Sequence, residues 1–272
     1  MKDLPVILVA AMNRMGYIGN EDGDLIHKNS RDLQRFKDLS INGVLIMGRK
    51  TYESLPKALP SRSFVVVSER MNRADIKHPA GCDSSTTLFI GDIGRAMEAA
   101  HRIAEAKGHD KIVIAGGASV FAHFLPQVEY LHLTHFDSEE LGDAMFPIEQ
   151  VESMIADERF VQTNHYEFYD GEMKVRFKDY ELAPCIESRF GDFVKLANGV
   201  RFRLSQLQSY FEAEDHILIA QTGFAVNIMD SEMNLGQLMK ELDELVHNEP
   251  IYIKKSDEEL SYPKLKLAKN GE

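Results

Sequence analysis

Apolar residues in this chain fall in short runs divided by polar, glycine-dotted stretches. Pro5 to Met12 is an almost unbroken apolar run of strand length, which predicts a strand buried on both faces. Asn13 to Asn29 is a polar loop holding Gly16, Gly19 and Gly23, and its length is that of a functional lid. Ser30 then reads as a helix N-cap, with Leu33, Phe36 and Leu39 at helical spacing behind it. Val44 to Met47 is a strand running into Gly48-Arg49-Lys50-Thr51 and a short helix from about Thr51 to Leu55. Phe64 to Ser68 and Leu88 to Ile90 are further strands, and Asp92 caps a helix from about Ile93 to Ala106. Its predicted buried face carries Ile93, Met97, Ala100, Ile103 and Ala104. Lys111 to Ala115 is a strand ending in Gly116-Gly117-Ala118-Ser119, followed by a helix around Ser119 to Leu125 and the strand Tyr130 to Phe136. Val161 to Tyr169 and Met173 to Leu182 flank Asp170-Gly171, a strong hairpin signal. Strand–helix alternation closed by a hairpin predicts an α/β fold, with a mostly parallel central sheet, flanking helices and an antiparallel edge.

At Ala183-Pro184 the pattern restarts, so residues 1–183 and 184–272 are expected to form separate domains. Phe193 to Ala197 and Val200 to Leu204 flank Asn198-Gly199 as a hairpin, and Ser205 caps a short predicted helix to Phe211. His216 to Gln221 and Phe224 to Met229 make a second strand pair around Thr222-Gly223. An amphipathic helix is predicted over Leu235 to Val246, then a strand Ile251 to Lys254 and a charged tail from Ser256. This second unit reads as a small α+β domain.

Composition narrows the setting. A chain of 272 residues with 44% hydrophobic content can bury a good core. A net charge of −12 argues against nucleic acid as a partner. No apolar run approaches the roughly 20 residues that span a bilayer, and Met1 to Pro5 lacks a secretory pattern. Cys82 and Cys185 have no metal-ligand spacing and read as free thiols. The expectation is a cytoplasmic protein with no metal and no membrane partner.

Two strand–glycine–helix turns, at Gly48 and at Gly116-Gly117, carry the first chemical signal. Each aims backbone N–H groups and the positive end of a helix beyond a strand end, where phosphate groups bind. Together they predict a crevice for an elongated phosphate-bearing cofactor. Asp32 and Phe36 lie four apart on one helix and so share a face. A carboxylate beside an aromatic ring suits a planar heterocycle with an amidine-like N–H edge. A carboxylate in a first helical turn also simply complements the dipole. Arg62, after Leu59-Pro60-Ser61, is a candidate clamp for a substrate carboxylate or, taken alone, a surface arginine.

Taken in order, the motifs become specific. They are Val9-Ala10-Ala11-Met12, Ile18-Gly19, Asp32-Leu33-Gln34-Arg35-Phe36-Lys37, Ile46-Met47-Gly48-Arg49-Lys50-Thr51-Tyr52-Glu53-Ser54-Leu55, Leu59-Pro60-Ser61-Arg62, Ile114-Ala115-Gly116-Gly117-Ala118, Leu133-Thr134-His135 and Gly142-Asp143-Ala144-Met145-Phe146-Pro147. The set resembles the dihydrofolate reductase family over about residues 4–182. The resemblance implies NADPH-dependent hydride transfer to carbon 6 of dihydrofolate with protonation of nitrogen 5, giving tetrahydrofolate. It implies that Asp32 is the ionisable side chain of the pterin pocket, gripping the 2-amino and ring N–H edge. Asp32 would not reach nitrogen 5 itself, so water carries that proton. Thr134 would hydrogen-bond Asp32. Val9, Ala10, Leu33, Phe36, Leu55 and Leu59 would line the folate pocket, with Arg62 on the glutamate α-carboxylate. Ala11 and Ile18 would hold the nicotinamide. Gly48, Arg49, Lys50, Thr51, Ser68 and Arg70 would take the phosphates, with Gly116, Gly117, Ala118, Ser119, Val120 and Phe121 around the nicotinamide and diphosphate.

Three departures from the family pattern are visible. The family usually carries Pro-Trp where this chain has Leu25-Ile26, and that indole normally donates to an ordered water near the substrate. One extra residue lies between Gly19 and Asp32. Glu69 falls where a neutral or basic contact to the 2′-phosphate is usual, leaving Ser68, Arg70 and Arg49 to favour NADPH over NADH. These departures favour a reductase-fold binding or structural protein as the alternative, and Asp32 with Arg62 favours folate over a related pterin or pyrimidine substrate.

Residues 184–272 carry no motif and are expected to serve association with a protein partner or a second copy. Sedimentation of the full chain beside a chain ending at Ala183 checks this. Truncation is expected to lower the associated mass, and identical monomers with no partner lost would overturn it.

Overall fold

Period-two alternation along the first strand sets the layout of the molecule. The computed structural model describes residues 4–20, 24–69, 76–82, 84–156 and 159–183, and beyond them 186–190, 193–196, 201–203, 207–212, 216–221, 224–229, 237–238, 240–242 and 265–266. Two units are distinguished, Met1–Leu182 and Ala183–Glu272.

In the first unit, β1 (Val6–Asn13) turns Val6, Leu8, Ala10 and Met12 to one side and leaves Ile7, Val9 and Ala11 half-buried on the other. The run is therefore not buried on both faces, because its second face floors a cleft. The chain continues through β2 (Tyr17–Gly19), α1 (Ser30–Ser40), β3 (Gly43–Gly48), α2 (Arg49–Glu53), β4 (Ser63–Val67) and β5 (Thr87–Ile90). There follow α3 (Ala96–Lys107), β6 (Lys111–Ile114), α4 (Ala118–Phe124), β7 (Tyr130–Phe136), β8 (Ala144–Met145), α5 (Ile148–Ala156), β9 (Phe160–Asp170) and β10 (Met173–Leu182). Eight strands form one sheet in the order β5-β4-β3-β6-β1-β7-β10-β9. All pairs are parallel except β7 with β10 and β10 with β9. The expected parallel sheet with an antiparallel edge hairpin is what forms, and Gly171 takes a left-handed φ of 61° in the hairpin turn.

One face of this sheet packs Leu8, Ala10, Val44, Ile46, Ile112 and Ile114 against Ala96, Ala100 and Ala104 of α3 and Val120, Phe121 and Phe124 of α4. Small residues at four-residue spacing let α3 sit close to the strands. The other face packs Leu45, Met47, Phe64, Val66 and Val113 with Tyr52 of α2, and Phe36 of α1 joins them.

Several boundaries differ from the sequence expectation. The first glycine turn starts α2 at Arg49, two residues early, because Gly48 itself is the cap. Asp92 caps a 3₁₀ turn, accepting from the Gly94 N–H at 2.9 Å, and α3 proper begins at Ala96. The lid is not all loop, since β2 lies within it and pairs with β8.

In the second unit, the described segments are β11 (Ile186–Phe190), β12 (Phe193–Leu196), β13 (Arg201–Arg203), β14 (Leu207–Glu212), β15 (His216–Gln221), β16 (Phe224–Met229) and β17 (Leu265–Lys266). They form antiparallel sheets β11-β12-β13 and β16-β15-β14-β17. The helix predicted after Ser205 is replaced by β14. Tyr210 and Phe211 pair with Ile219 and Leu218, and an aromatic-rich ladder overrides a local cap signal. Residues 237–238 and 240–242 are helical. Pro184, Cys185, Ser205, the turns at 198–199 and 222–223, most of the helix predicted over 235–246 and the strand at 251–254 lie outside the described residues.

The two glycine turns are adjacent, with the Gly48 N–H donating to the Gly116 carbonyl at 2.7 Å and the Gly116–Gly117 peptide cis. Gly116 has a φ of 96°, and a Cβ there would lie 2.9 Å from the Phe121 ring. At Gly48 the nearest atoms to a Cβ are at 3.7 Å. Gly116→Ala is therefore expected to lose about 2–4 kcal/mol of stability, and Gly48→Ala within about 1 kcal/mol. Urea unfolding midpoints check both, and equal losses would refute the distinction.

Candidate active site

Asp32 is 8% exposed in the first turn of α1. The cap in front of it is Asn29 and not Ser30, whose side of the helix is exposed. The Asn29 Oδ1 accepts from the N–H groups of Arg31 at 2.9 Å and Asp32 at 3.0 Å. Its Nδ2 donates to Asp170 Oδ2 at 2.6 Å, tying the helix start to the β9–β10 turn. Burial raises the Asp32 pKa above the ordinary carboxylate range, against a hydrogen bond from Thr134 and the charge of Arg35. Thr134 is 1% exposed and pairs with Ala11 across β1–β7, so strand register sets the carboxylate's partner. Its neighbour His135 lies on the opposite face of β7. Burial, then Lys178, Arg176 and His165, push that imidazole down to about 4.

Farther along α1, Arg35 pairs with Asp179 of β10 and stacks its guanidinium 4.6 Å from the Phe177 ring centroid. Burial pushes Asp179 up, but hydrogen bonds with His132 (2.7 Å) and Asn164 (3.0 Å) and the Arg35 charge hold it below the ordinary range. At the far end of α1 stands Arg62, 5% exposed. Its Nε donates to Ser40 Oγ at 2.9 Å, Nη1 to the Pro60 carbonyl at 2.7 Å and Nη2 to the Lys37 carbonyl at 2.7 Å. Burial lowers its pKa, with Asp38 opposing. Three of the five guanidinium donors are thus committed and two remain.

Between Asp32 and Arg62, Val9, Phe36, Leu55 and Leu59 pack partly buried against one apolar cluster. Leu33 does not join them. It is 47% exposed, because the inward stripe of α1 runs through Asp32, Phe36 and Ser40, and Leu33 is rotated toward the rim. The Ala10 methyl lies on the opposite face of the sheet from Val9 and Ala11, in the core under α3 and α4. Ala11 packs with Phe136 and Val175, while Ile18 joins the core that holds Phe121 and Phe146.

At the glycine turns, a Cβ on Gly117 would approach Thr51 Oγ1 at 3.4 Å, so the glycine keeps a narrow gap open beside that hydroxyl. Arg49 is ion-paired with Glu53, whose other oxygen accepts from the Lys77 N–H at 3.2 Å. Lys50 and Ser119 are exposed, Ala118 is half-buried, and Val120 and Phe121 are buried beneath the turn. The half-buried Ser68 donates its N–H to the Ile90 carbonyl at 2.9 Å, Glu69 is exposed, and Arg70 lies outside the described residues.

In the lid, buried Asn13 accepts from the N–H groups of Met15 and Tyr17, each at 3.0 Å, and donates to the Glu140 carbonyl. The Gly19 carbonyl accepts from Asp143, and Leu25 bridges back to Gly19. The next residue but one, His27, packs its ring 5.0 Å from that of Phe136. Asn29, Glu53, Arg35 and Asp179 were not singled out from sequence. An acid four residues after Arg49 was the readable signal for Glu53.

The pattern of the dihydrofolate reductase family matches residues 5–181. Dihydrofolate reductase type 8 of Escherichia coli is 34% identical over 143 residues, which cover 53% of this chain and 79% of that protein. Dihydrofolate reductase HdrB of Haloferax volcanii is 32% identical over 145 residues, 52% of this chain and 70% of its own. The dihydrofolate reductase of Staphylococcus haemolyticus is 28% identical over 174 residues, 61% of this chain and 93% of its own. A solved structure, dihydrofolate reductase from Enterococcus faecalis complexed with NADP(H) and RAB-propyl, aligns with a TM-score of 0.49 and 20% identity over 65% of this chain and 96% of that one. Through residues 5–181, which fall within its first unit, the chain belongs to the dihydrofolate reductase family.

Proposed function

We propose how this dihydrofolate reductase, an NADPH-dependent oxidoreductase, uses the residues of its cleft. One observation carries the reading: a buried carboxylate and a buried guanidinium stand at opposite ends of α1, with apolar side chains between. Arg62 is held by Lys37 and Ser40, five to eight residues beyond Asp32. At 1.5 Å rise per residue the two charges are separated along the helix by about 8–12 Å. A flat heterocycle with an N–H edge at one end and a carboxylate at the other fits that spacing, which is the chemistry of dihydrofolate.

Asp32 accepts hydrogen bonds from the 2-amino and ring N–H edge, and Thr134 fixes its orientation. Phe36, Leu55, Leu59 and Val9 pack on the ring system and exclude water. Leu33, exposed at the rim, offers apolar surface that the substrate would cover, and Ala10 contributes backbone only. Arg62 offers its two remaining donors to the tail carboxylate. Gly48, Gly116 and Gly117 lack the Cβ atoms that would crowd a dinucleotide at the paired turns, and Thr51 offers its hydroxyl beside them. Phe121 and Ile18 would border the nicotinamide. NADPH supplies, when bound, the hydride for carbon 6. Arg49 would take the 2′-phosphate by exchanging its Glu53 pairing, with Ser68 and Arg70 as the further candidate ligands.

Cys82 is in no disulfide, and its half-buried thiol meets the Tyr52 hydroxyl at 3.1 Å, which suits a reducing cytoplasm. Among the described residues no helix is long and apolar enough to cross a membrane. We infer that residues 184–272 form an appended domain for association, supported by their forming a separate unit.

Asp32→Asn tests the reading in two ways. Turnover of dihydrofolate with NADPH is expected to fall at least about a hundredfold at neutral pH. Stability should move the other way. The folded-state pKa lies above the unfolded one, so the favourable contribution is complete at acid pH and is lost as pH rises through the folded value. The neutral Asn escapes that loss, so the variant should melt higher than wild type at neutral pH, with the gap closing in acid. Unchanged turnover, or a variant melting lower at neutral pH, contradicts the assignment.

A further inference from the structure

Asp32 and Arg35 lie one turn apart on α1, where side chains three residues apart are neighbours. Beneath them, strand register sets two ranks of side chains on one face of the β7–β10 pair. Thr134 stands opposite Phe177, and two residues along His132 stands opposite Asp179. Asp32 takes its hydrogen bond from Thr134 in the first rank. The Arg35 guanidinium lies 4.6 Å from the Phe177 ring centroid in that rank and pairs with Asp179 in the second. Asp179 is held in turn by His132 at 2.7 Å and by the Asn164 amide at 3.0 Å. A cation one turn from the substrate-binding carboxylate is thus fixed between an aromatic ring and a second carboxylate. The side chains of that ion pair are only 14% and 16% exposed, so water screens it little.

We propose that Arg35 is a positioning residue for substrate capture: its charge keeps Asp32 anionic in the apolar cleft, ready to accept from the N–H edge of the heterocycle, and Asp179 sets how much of that charge Asp32 feels. The inference rests on the reductase reading above. Burial disfavours the charged form of Asp32, and the Arg35 charge acts against that cost. Asp179 is kept ionised by its own hydrogen bonds and by the same guanidinium, so its negative charge offsets part of what Arg35 supplies. The two carboxylates therefore compete for one cation, and neutralising either member of the ion pair has opposite effects on Asp32. The other charged groups around Asp32 have partners or places of their own. Arg31 is stacked on Phe168 at 4.7 Å, Asp170 is held by Asn29, and Lys28 is turned to Asp24. His27 rests on Phe136 with Glu140 beyond it, and Asp38 and Arg62 stand at the far end of α1. His135, Arg176 and Lys178 lie on the opposite face of the sheet, and β1 brings no charged side chain.

Carboxyl resonances of isotope-labelled aspartate report the ionisation of Asp32 in the ligand-free enzyme, with Asp32→Asn identifying its signal. Arg35→Gln should raise the midpoint of the Asp32 titration by about one pH unit, and Asp179→Asn should lower it. Arg35→Lys keeps a cation and should recover about half or more of the difference between Arg35→Gln and wild type. Asp179→Asn keeps the guanidinium on Phe177, so it decides the sign where Arg35→Gln does not fold. Folate binding, followed by calorimetry over the same pH range, should weaken as pH falls through each variant's own midpoint and agree within about twofold well above it. A purely structural role for the ion pair would change stability in these variants and leave the carboxyl midpoint in place. An Arg35→Gln midpoint that does not rise, an Asp179→Asn midpoint that does not fall, or an Arg35→Lys variant that behaves as Arg35→Gln overturns this inference alone. A wild-type chain that binds no folate at any pH overturns the reductase reading, and the role in substrate capture with it.

Discussion

A carboxylate held at 8% exposure in an apolar cleft constrains everything around it. Charge is costly there, and what offsets the cost must be rigid. Thr134 is supplied by the register of β7 on β1, and a slip of one residue would turn it to the opposite face. The helix bearing Asp32 is pinned along its length: Asn29 to Asp170 at its start, Arg35 to Asp179 at its middle, and Lys37 and Ser40 to Arg62 at its end. The antiparallel β9–β10 hairpin provides two of those anchors, so this edge of the sheet serves to fix α1. The parallel strands provide the floor, and the two glycine turns at their ends set the opposite wall.

The lid follows a related logic. Its ends are fastened by the buried amide of Asn13 and by the β2–β8 pairing, and Gly19 and Gly142 meet where a Cβ on Gly142 would lie 2.6 Å from the Gly19 carbonyl. Backbone contact this close holds the stretch that carries Ile18 and leads to His27 against the segment that carries Glu140.

Much of this was readable from the chain because the patterns were long and redundant. Tyr130 to Phe136 has the right length and composition for a strand, α3 has alanines at four-residue spacing behind the turn that Asp92 caps, and Asp170-Gly171 names its own turn. The cleft face was legible too, since Val9 and Ala11 on one side of a strand require Ala10 on the other. That rule, applied strictly, would have removed Ala10 as a side-chain contact. The strands β2 and β8 span three and two residues and carry no period to detect. The helix α5 was hidden behind Phe146-Pro147, with only Val151 and Met154 buried. Asn29 and Arg35 depend on partners more than a hundred residues away, which local spacing does not report.

The fastening of Arg62 has a consequence for recognition. Its long side chain loses its rotational freedom during folding, to Ser40, Pro60 and Lys37, before any ligand arrives. A carboxylate reaching the two remaining donors would meet a rigid fork and would not have to order it. Preorganisation of this kind makes the direction of approach matter more than charge alone. It favours anions whose geometry matches the fork, and a compact inorganic ion of the same charge would gain less from it.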